Sequence, residues 1–245
     1  MKGGPMVDVA SRLLKPIGSS LARIARRAMT PDKAWDPLFD SWIETAKLEG
    51  VDPNDIGDRQ WGDPVTVIES RYGPYLAADK VVLELGPGSG RYTRHLLLRC
   101  SRLLLVDASP RVVRWLKQYL RDRANCEVFL AKDCSLSFFE DSSVDVAIAT
   151  GVFEHLSIEE FYLYLRAFFR VLRAGGVVVL NFDDFRSVEG FAWFKKWLPA
   201  DGSRGIFRFY HPEMVQQMCE DIGFAKISIV PDHRMGWLTC TKPST

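Results

Sequence analysis

From residue 80 onward, short aliphatic and β-branched runs alternate with stretches of helical periodicity, and this confines the chain to one class of architecture. The runs lie at 81–83, 103–106, 126–130, 144–148 and 177–180, with helical patterns at 90–99, 110–121 and 158–172. Runs with few polar interruptions are strands buried on both faces. Alternating with helices, they predict a parallel sheet covered by helices. A helix over about 212–222, stopped near Gly223, leads to two further strand-like runs around 224–230 and 235–241. Pro231-Asp232 favours a turn between them, so these two are expected to be antiparallel.

The first strand runs directly into Glu84-Leu85-Gly86-Pro87-Gly88-Ser89-Gly90 and then a helix. Glycines let backbone approach a ligand with no side chain between, and in open parallel sheets ligands sit at the carboxyl ends of the strands. A dinucleotide fingerprint needs G-x-G-x-x-G. Counting from Gly86 and Gly88 the third position is Arg91, and from Gly88 and Gly90 it is Thr93. Both fail, and no Gly-Lys-Ser/Thr follows to make a phosphate loop. The acid Glu84, two residues before Gly86, would oppose a pyrophosphate but suits a ligand carrying an amino group and a sulfonium.

At this point the chain resembles the class I S-adenosylmethionine-dependent methyltransferases, well over about residues 78–183 and more loosely to the C-terminus. The resemblance implies a Rossmann-like, doubly wound α/β fold. Its mostly parallel, seven-stranded sheet would carry one antiparallel strand near the C-terminus, with helices added at the N-terminus. It implies S-adenosyl-L-methionine as cofactor, its methionine part backed by Glu84, Gly86, Gly88 and Gly90. Asp107 ends the second strand, 17 residues after Gly90, and matches the family acid that takes the ribose hydroxyls, a task for a group that only accepts. Ser109-Pro110 already supplies a helix cap and first turn, so Asp107 is not needed for capping. Asp133 follows the third strand and matches the acid on the adenine amino group, with the amide of Cys134 facing the ring. Residues 142–156 resemble the family's fourth strand together with the segment after it, and Thr150 within them joins the cofactor set. Leu172-Arg173-Ala174-Gly175-Gly176 resembles the turn into the fifth strand, with alanine where the family usually has proline.

Methyl transfer from a sulfonium needs mainly alignment and desolvation, and an acceptor oxygen must also lose a proton. His155, just past the fourth strand, is the candidate base; it reads equally as a structural histidine bonded to backbone or to Glu154. Asp183-Asp184 read as a solvated turn, so no metal is expected. Arg186, Tyr210 and His211 could roof an acceptor pocket, and the aromatic stretch 185–209 could line it or form an ordinary packing flap. Arg71 could meet the methionine carboxylate or lie on the surface.

The remaining features bound the reading. With 245 residues and 47% hydrophobic content, the chain divides into an N-terminal helical extension, 1–77, and a cofactor-binding domain, 78–245, with 185–209 as an insert. Residues 33–49 read as a helix with Trp35, Leu38, Phe39, Trp42 and Ile43 on one face, Pro37 placing its start a few residues in. Residues 52–58 read as a loop, and 64–77 as a short helix broken by Gly73-Pro74. Five scattered cysteines without a CxxC pair argue against structural zinc and for a reducing, cytoplasmic setting. The net charge of +1 gives no general pull toward nucleic acid. Residues 1–30 nevertheless hold six basic groups and one acid. Within 11–28, Leu14, Ile17, Leu21, Ile24 and Ala28 form an apolar face suited either to packing on the domain or to a membrane surface. The expectation is an enzyme methylating a small-molecule acceptor at a hydroxyl, such as a sugar, lipid-linked or secondary-metabolite compound. The alternatives are N- or C-methylation of a small molecule, or a non-catalytic cofactor-binding subunit.

Overall fold

The structure is a computed structural model that describes residues 31–201 and 205–244. The basic amphipathic segment at 11–28 lies outside the described residues. Among the described residues, no helix is long and apolar enough to cross a membrane.

The expected α/β sheet is present. β1 (Val81–Leu85), β2 (Arg102–Asp107), β3 (Cys126–Leu130), β4 (Val144–Ala149), β5 (Leu172–Asp184), β8 (Met235–Thr241) and β7 (Ala225–Asp232) stand in the order β3-β2-β1-β4-β5-β8-β7. An eighth, two-residue strand, β6 (Phe209–Tyr210), pairs with the end of β5. β8 is antiparallel to both β5 and β7, so it is the one strand that opposes the rest. β1 is buried along nearly its whole length, and its side chains alternate between the two faces as the pleat dictates. Leu83 and Leu85 join a core with Phe161, Leu165 and Phe168, while Val82 joins a second core with Ile68, Tyr72, Leu96 and Leu116 on the other face.

Helices cover both faces: α1 (Pro31–Glu49), α2 (Pro53–Trp61), α3 (Pro64–Val67), α4 (Thr93–Leu96), α5 (Pro110–Tyr119), α6 (Ile158–Val171), α7 (Val188–Trp197) and α8 (Pro212–Ile222). Ser157 and Glu160 close a capping box on α6, and Gly223, with φ of 101°, ends α8 in the left-handed conformation.

Several boundaries differ from the sequence expectations. α1 runs through Pro37, because the buried Phe39 and Ala46 hold it down and packing outweighs one lost ladder bond. The expected loop at 52–58 is mostly α2. Asp52 caps it, accepting from the Asn54 amide at 2.8 Å, and Pro53 takes the first helical position. The Asp-Pro pair is a helix start here rather than a turn. The helix expected at 90–99 contracts to the four residues of α4. β7 continues through Pro231 and Asp232, and the chain reverses at His233 and Arg234. Proline is tolerated in β7 because the strand lies at the sheet edge. Asp183 and Asp184 are not a solvated turn: they end β5, 0% and 3% exposed.

Candidate functional site

β1 pairs with β2 on one side and β4 on the other, so its carboxyl end is the switch point where a ligand fits between diverging connections. There the chain makes three successive left-handed glycines, Gly86, Gly88 and Gly90, with φ of 70°, 56° and 98°. The turn is held from both sides. The Gly86 amide donates to the Val106 carbonyl at 2.8 Å, and the Trp115 indole of α5 donates to the Ser89 carbonyl at 3.2 Å. A Cβ placed on Gly88 would meet nothing within 4 Å, so the middle of the turn faces open space bare of side chains.

Two acids stand beside this turn. Glu84 is 4% exposed, and its carboxylate accepts from the Thr93 hydroxyl at 2.7 Å. Burial pushes its pKa up to about 7, opposed by the Thr93 bond and reinforced by the charge of Asp107. Asp107 ends β2 half-buried and accepts from the Ser109 amide at 2.8 Å. Burial pushes its pKa up to about 6, opposed by backbone bonds from Ser109, Gly88 and Ala108 and reinforced by the charge of Asp36. The Gly88 amide among these places the β2 acid against the glycine turn.

The other expected cofactor residues are placed less uniformly. Thr150 follows β4 and shares a hydrogen bond with the Tyr72 hydroxyl. Tyr72 is fully buried at the end of a π-helical turn, Ile68–Tyr72, that continues α3. Asp133 lies exposed beyond β3, its carboxylate accepting from the Ser135 amide at 2.8 Å and the Ser135 hydroxyl at 2.5 Å. Those bonds hold its pKa below the usual carboxylate value. Cys134 is half-buried, its thiol pushed up to about 11 by burial. Arg71 pairs with Asp232 at 2.9 Å and lies over the Trp237 ring at 5.2 Å.

At the acceptor end, His155 closes the 3-10 turn Phe153–His155 just beyond β4. Its Nδ1 lies 3.0 Å from the Ile206 carbonyl, and its ring is 5.1 Å from that of Phe207. Burial pushes the imidazole below its ordinary pKa. Arg186 is exposed and pairs with Glu213. Tyr210 sits in the core, its hydroxyl donating to the Leu156 carbonyl at 2.5 Å and its ring 4.8 Å from Phe161. His211 is exposed just before α8, with its ring 5.5 Å from Phe185. The described residues of the stretch 185–209 include α7 and two aromatic groups: Phe185 with Phe194 and Phe209, and Trp193 with Trp197 and Phe207. Among the described residues, no group of three or more His, Cys, Asp or Glu could hold a metal ion.

The structure thus gathers Glu84, the glycine turn and Asp107, with Thr150 following the neighbouring strand, while Arg186 and His211 lie exposed and Tyr210 is buried in the core. It adds Tyr72, Thr93 and Asp36, which the sequence pattern does not single out. Thr93 carries a faint signal, standing nine residues beyond Glu84 on the helix after the turn. Asp36 carries none, because its place beside Ser109 and Asp107 is set by how α1 docks.

The site fits an adenosyl-sulfonium compound. The side-chain-free turn would face its methionine part, Glu84 its amino group and Asp107 its ribose hydroxyls. The family described as a methyltransferase domain matches residues 83–180. A malonyl-[acyl-carrier protein] O-methyltransferase of Yersinia pestis is 24% identical over 57% of this chain and 49% of its own. An N-terminal Xaa-Pro-Lys N-methyltransferase of Rattus norvegicus is 33% identical over 45% of this chain and 51% of its own. A ribosomal RNA small subunit methyltransferase A of Methanopyrus kandleri is 40% identical over 22% of this chain and 19% of its own. The chain therefore spans about half or less of the length of these curated relatives.

Solved structures share the fold. A Pyrococcus horikoshii protein has a TM-score of 0.63 at 22% identity, covering 77% of this chain and 93% of its own. A chain in the complex between the Haloferax volcanii Trm112 methyltransferase activator and a methyltransferase has a TM-score of 0.61 at 17% identity, covering 84% and 97%. Residues 83–180 thus match a family described as a methyltransferase domain, the surrounding fold is shared with solved structures, and family match and fold together imply S-adenosylmethionine as the cofactor.

Proposed function

We propose that this chain transfers the methyl group of S-adenosylmethionine to a small-molecule acceptor, at a hydroxyl. The observation that carries the cofactor half is the pair of acids, Glu84 and Asp107, on adjacent strands around a turn whose middle glycine faces open space. When bound, the cofactor supplies a methyl group on a sulfonium that departs as a neutral thioether. The chain's task is to align the two reactants and exclude water.

Aromatic α7 and the residues around it supply apolar walls at the acceptor end, of the kind that bind small molecules. His155 suits the removal of a hydroxyl proton. Its Nδ1 lies against a carbonyl, so that nitrogen carries the ring proton and the lone pair is on Nε2. Burial lowers the ring's pKa, which favours its neutral form. The acceptors named for the relatives are diverse: a carrier-bound malonyl group, a protein N-terminus and ribosomal RNA. A small acceptor is favoured over RNA because many described arginines are already matched to acids: Arg91 to Asp58, Arg99 to Glu69, Arg102 to Glu127 and Arg111 to Asp40. RNA binding needs cations free for phosphate.

The test is transfer of labelled methyl from S-adenosylmethionine by the full chain to three panels: hydroxyl-bearing small molecules, total RNA, and peptides. Label in the first panel alone is expected. Label in RNA or peptide contradicts the acceptor class, and labelled amines in place of ethers contradict the choice of oxygen.

A further inference from the structure

Arg234 occupies an unusual place for a side chain from the far end of the chain. It sits at the reversal between β7 and β8 and projects to the carboxyl end of the sheet. There its guanidinium bonds Asp183, the penultimate residue of β5, which is 0% exposed. The same group lies 3.7 Å from the carboxylate of Glu154, which is 4% exposed and precedes His155. It also lies 4.8 Å from the ring centre of Trp193 in α7. The Arg234 carbonyl accepts from the Asp184 amide at 2.9 Å, so backbone and side chain both lock the reversal to β5.

Three elements of the acceptor end meet on this one cation: the turn carrying His155, the tip of β5, and the aromatic helix. Arginine suits the position because a planar fork can bond one carboxylate while its face lies under an indole. The burial is asymmetric. Glu154 Oε2 and Asp183 Oδ2 have no hydrogen-bond partner, so the guanidinium is the cation beside two buried acids. Removing it would strand both.

We propose that Arg234 is a positioning residue for the acceptor end, fixing Glu154, and through it the His155 turn, while clamping α7 through Trp193. This rests on the methyltransferase reading for its purpose, though not for its test. The groups facing the His155 ring are Glu154, Arg234, Arg208 and the Ile206 carbonyl. Glu154 favours the protonated ring, while Arg234 and Arg208 oppose it. Loss of Arg234 removes one opposing charge and releases the Glu154 carboxylate, so both effects act in the same direction.

The experiment uses the full chain and needs no acceptor. The His155 ring is titrated by NMR, assigned by its absence in His155→Gln, and amide exchange over 188–197 is followed in the same samples. In Arg234→Met the titration midpoint is expected to rise by about half a unit or more, with exchange in α7 accelerating about tenfold. Arg234→Lys keeps the charge but loses the fork, so it should restore most of the midpoint and little of the α7 protection. Asp183→Asn, which frees Arg234 without stranding a charge there, should loosen α7 and serves if Arg234→Met does not fold. An unchanged His155 midpoint in folded Arg234→Met overturns the proposal. So does unchanged α7 exchange in Asp183→Asn. S-adenosylmethionine affinity, measured alongside, should stay within about twofold. Its absence in the unmodified chain would sink the methyltransferase reading and leave the Arg234 result standing.

Discussion

A Cβ built on Gly86 would fall 2.3 Å from Cγ2 of Val152, so the first glycine of the turn and the residue three beyond the end of β4 are packed face to face. At Gly88 the same Cβ would meet nothing within 4 Å. The two positions therefore separate folding from binding. Gly86→Ala is expected to cost about 2–4 kcal/mol by combining overpacking with a left-handed backbone. Val152→Ala should relieve only part of this, because φ stays positive. Gly88→Ala is expected to cost about 1 kcal/mol and yet to weaken cofactor binding at least tenfold, since its methyl enters the ligand space. Urea midpoints and a binding titration on the three variants check this.

Glu84 makes the ligand-free protein sensitive to pH. Its folded pKa of about 7 lies above the ordinary 4.5, so the folded state binds the proton more tightly than the unfolded chain does. The group costs nothing below about pH 4.5, and its cost grows as pH rises, reaching its full value above 7. At full value the cost is about 3 kcal/mol. Glu84→Gln should therefore stabilise the ligand-free protein at pH 8 and have little effect at pH 4, while abolishing tight cofactor binding. Equal effects at both pH values would show that the carboxylate is not charged in the fold at pH 8.

Asp107 should control the pH dependence of binding. Its pKa is raised to about 6, and only the charged form accepts from both ribose hydroxyls. Affinity is expected to fall as pH drops through 6, approaching tenfold per unit below it. Asp107→Asn keeps an oxygen for the Ser109 amide and should weaken binding by about 1.5–3 kcal/mol while flattening the pH dependence. Tryptophan fluorescence titrations from pH 5 to 8 read both effects.

His155→Ala is expected to leave cofactor affinity intact and slow turnover by about 10²-fold or more. The acid limb of the pH–rate profile should lie below the ordinary histidine value, because burial lowers the imidazole pKa. A variant turning over at the wild-type rate would remove His155 from the mechanism.

Much of this was legible in the sequence, because the strongest signals are local. Strand runs buried on both faces, the glycine turn and the Ser109-Pro110 helix start each depend on adjacent residues, and each appears where expected. The positions of Glu84 and Asp107 beside the glycine turn were legible for the same reason: each occupies a fixed offset from a strand end. The features that were not legible depend on docking. Asp52-Pro53 reads as a turn until a helix is seen to start there. Tyr210 reads as a wall of a pocket until its hydroxyl is found bonded to Leu156 inside the core. Arg234 joins Asp183 across 51 residues, and no local pattern encodes that separation.

The most direct measurement is a calorimetric titration of the full chain with S-adenosylmethionine and its demethylated product. A saturable one-to-one heat that disappears in a Glu84→Gln, Asp107→Asn double variant is the predicted result. No heat from the unmodified, folded protein at millimolar ligand would contradict the assignment of the glycine turn and its two acids as the cofactor site.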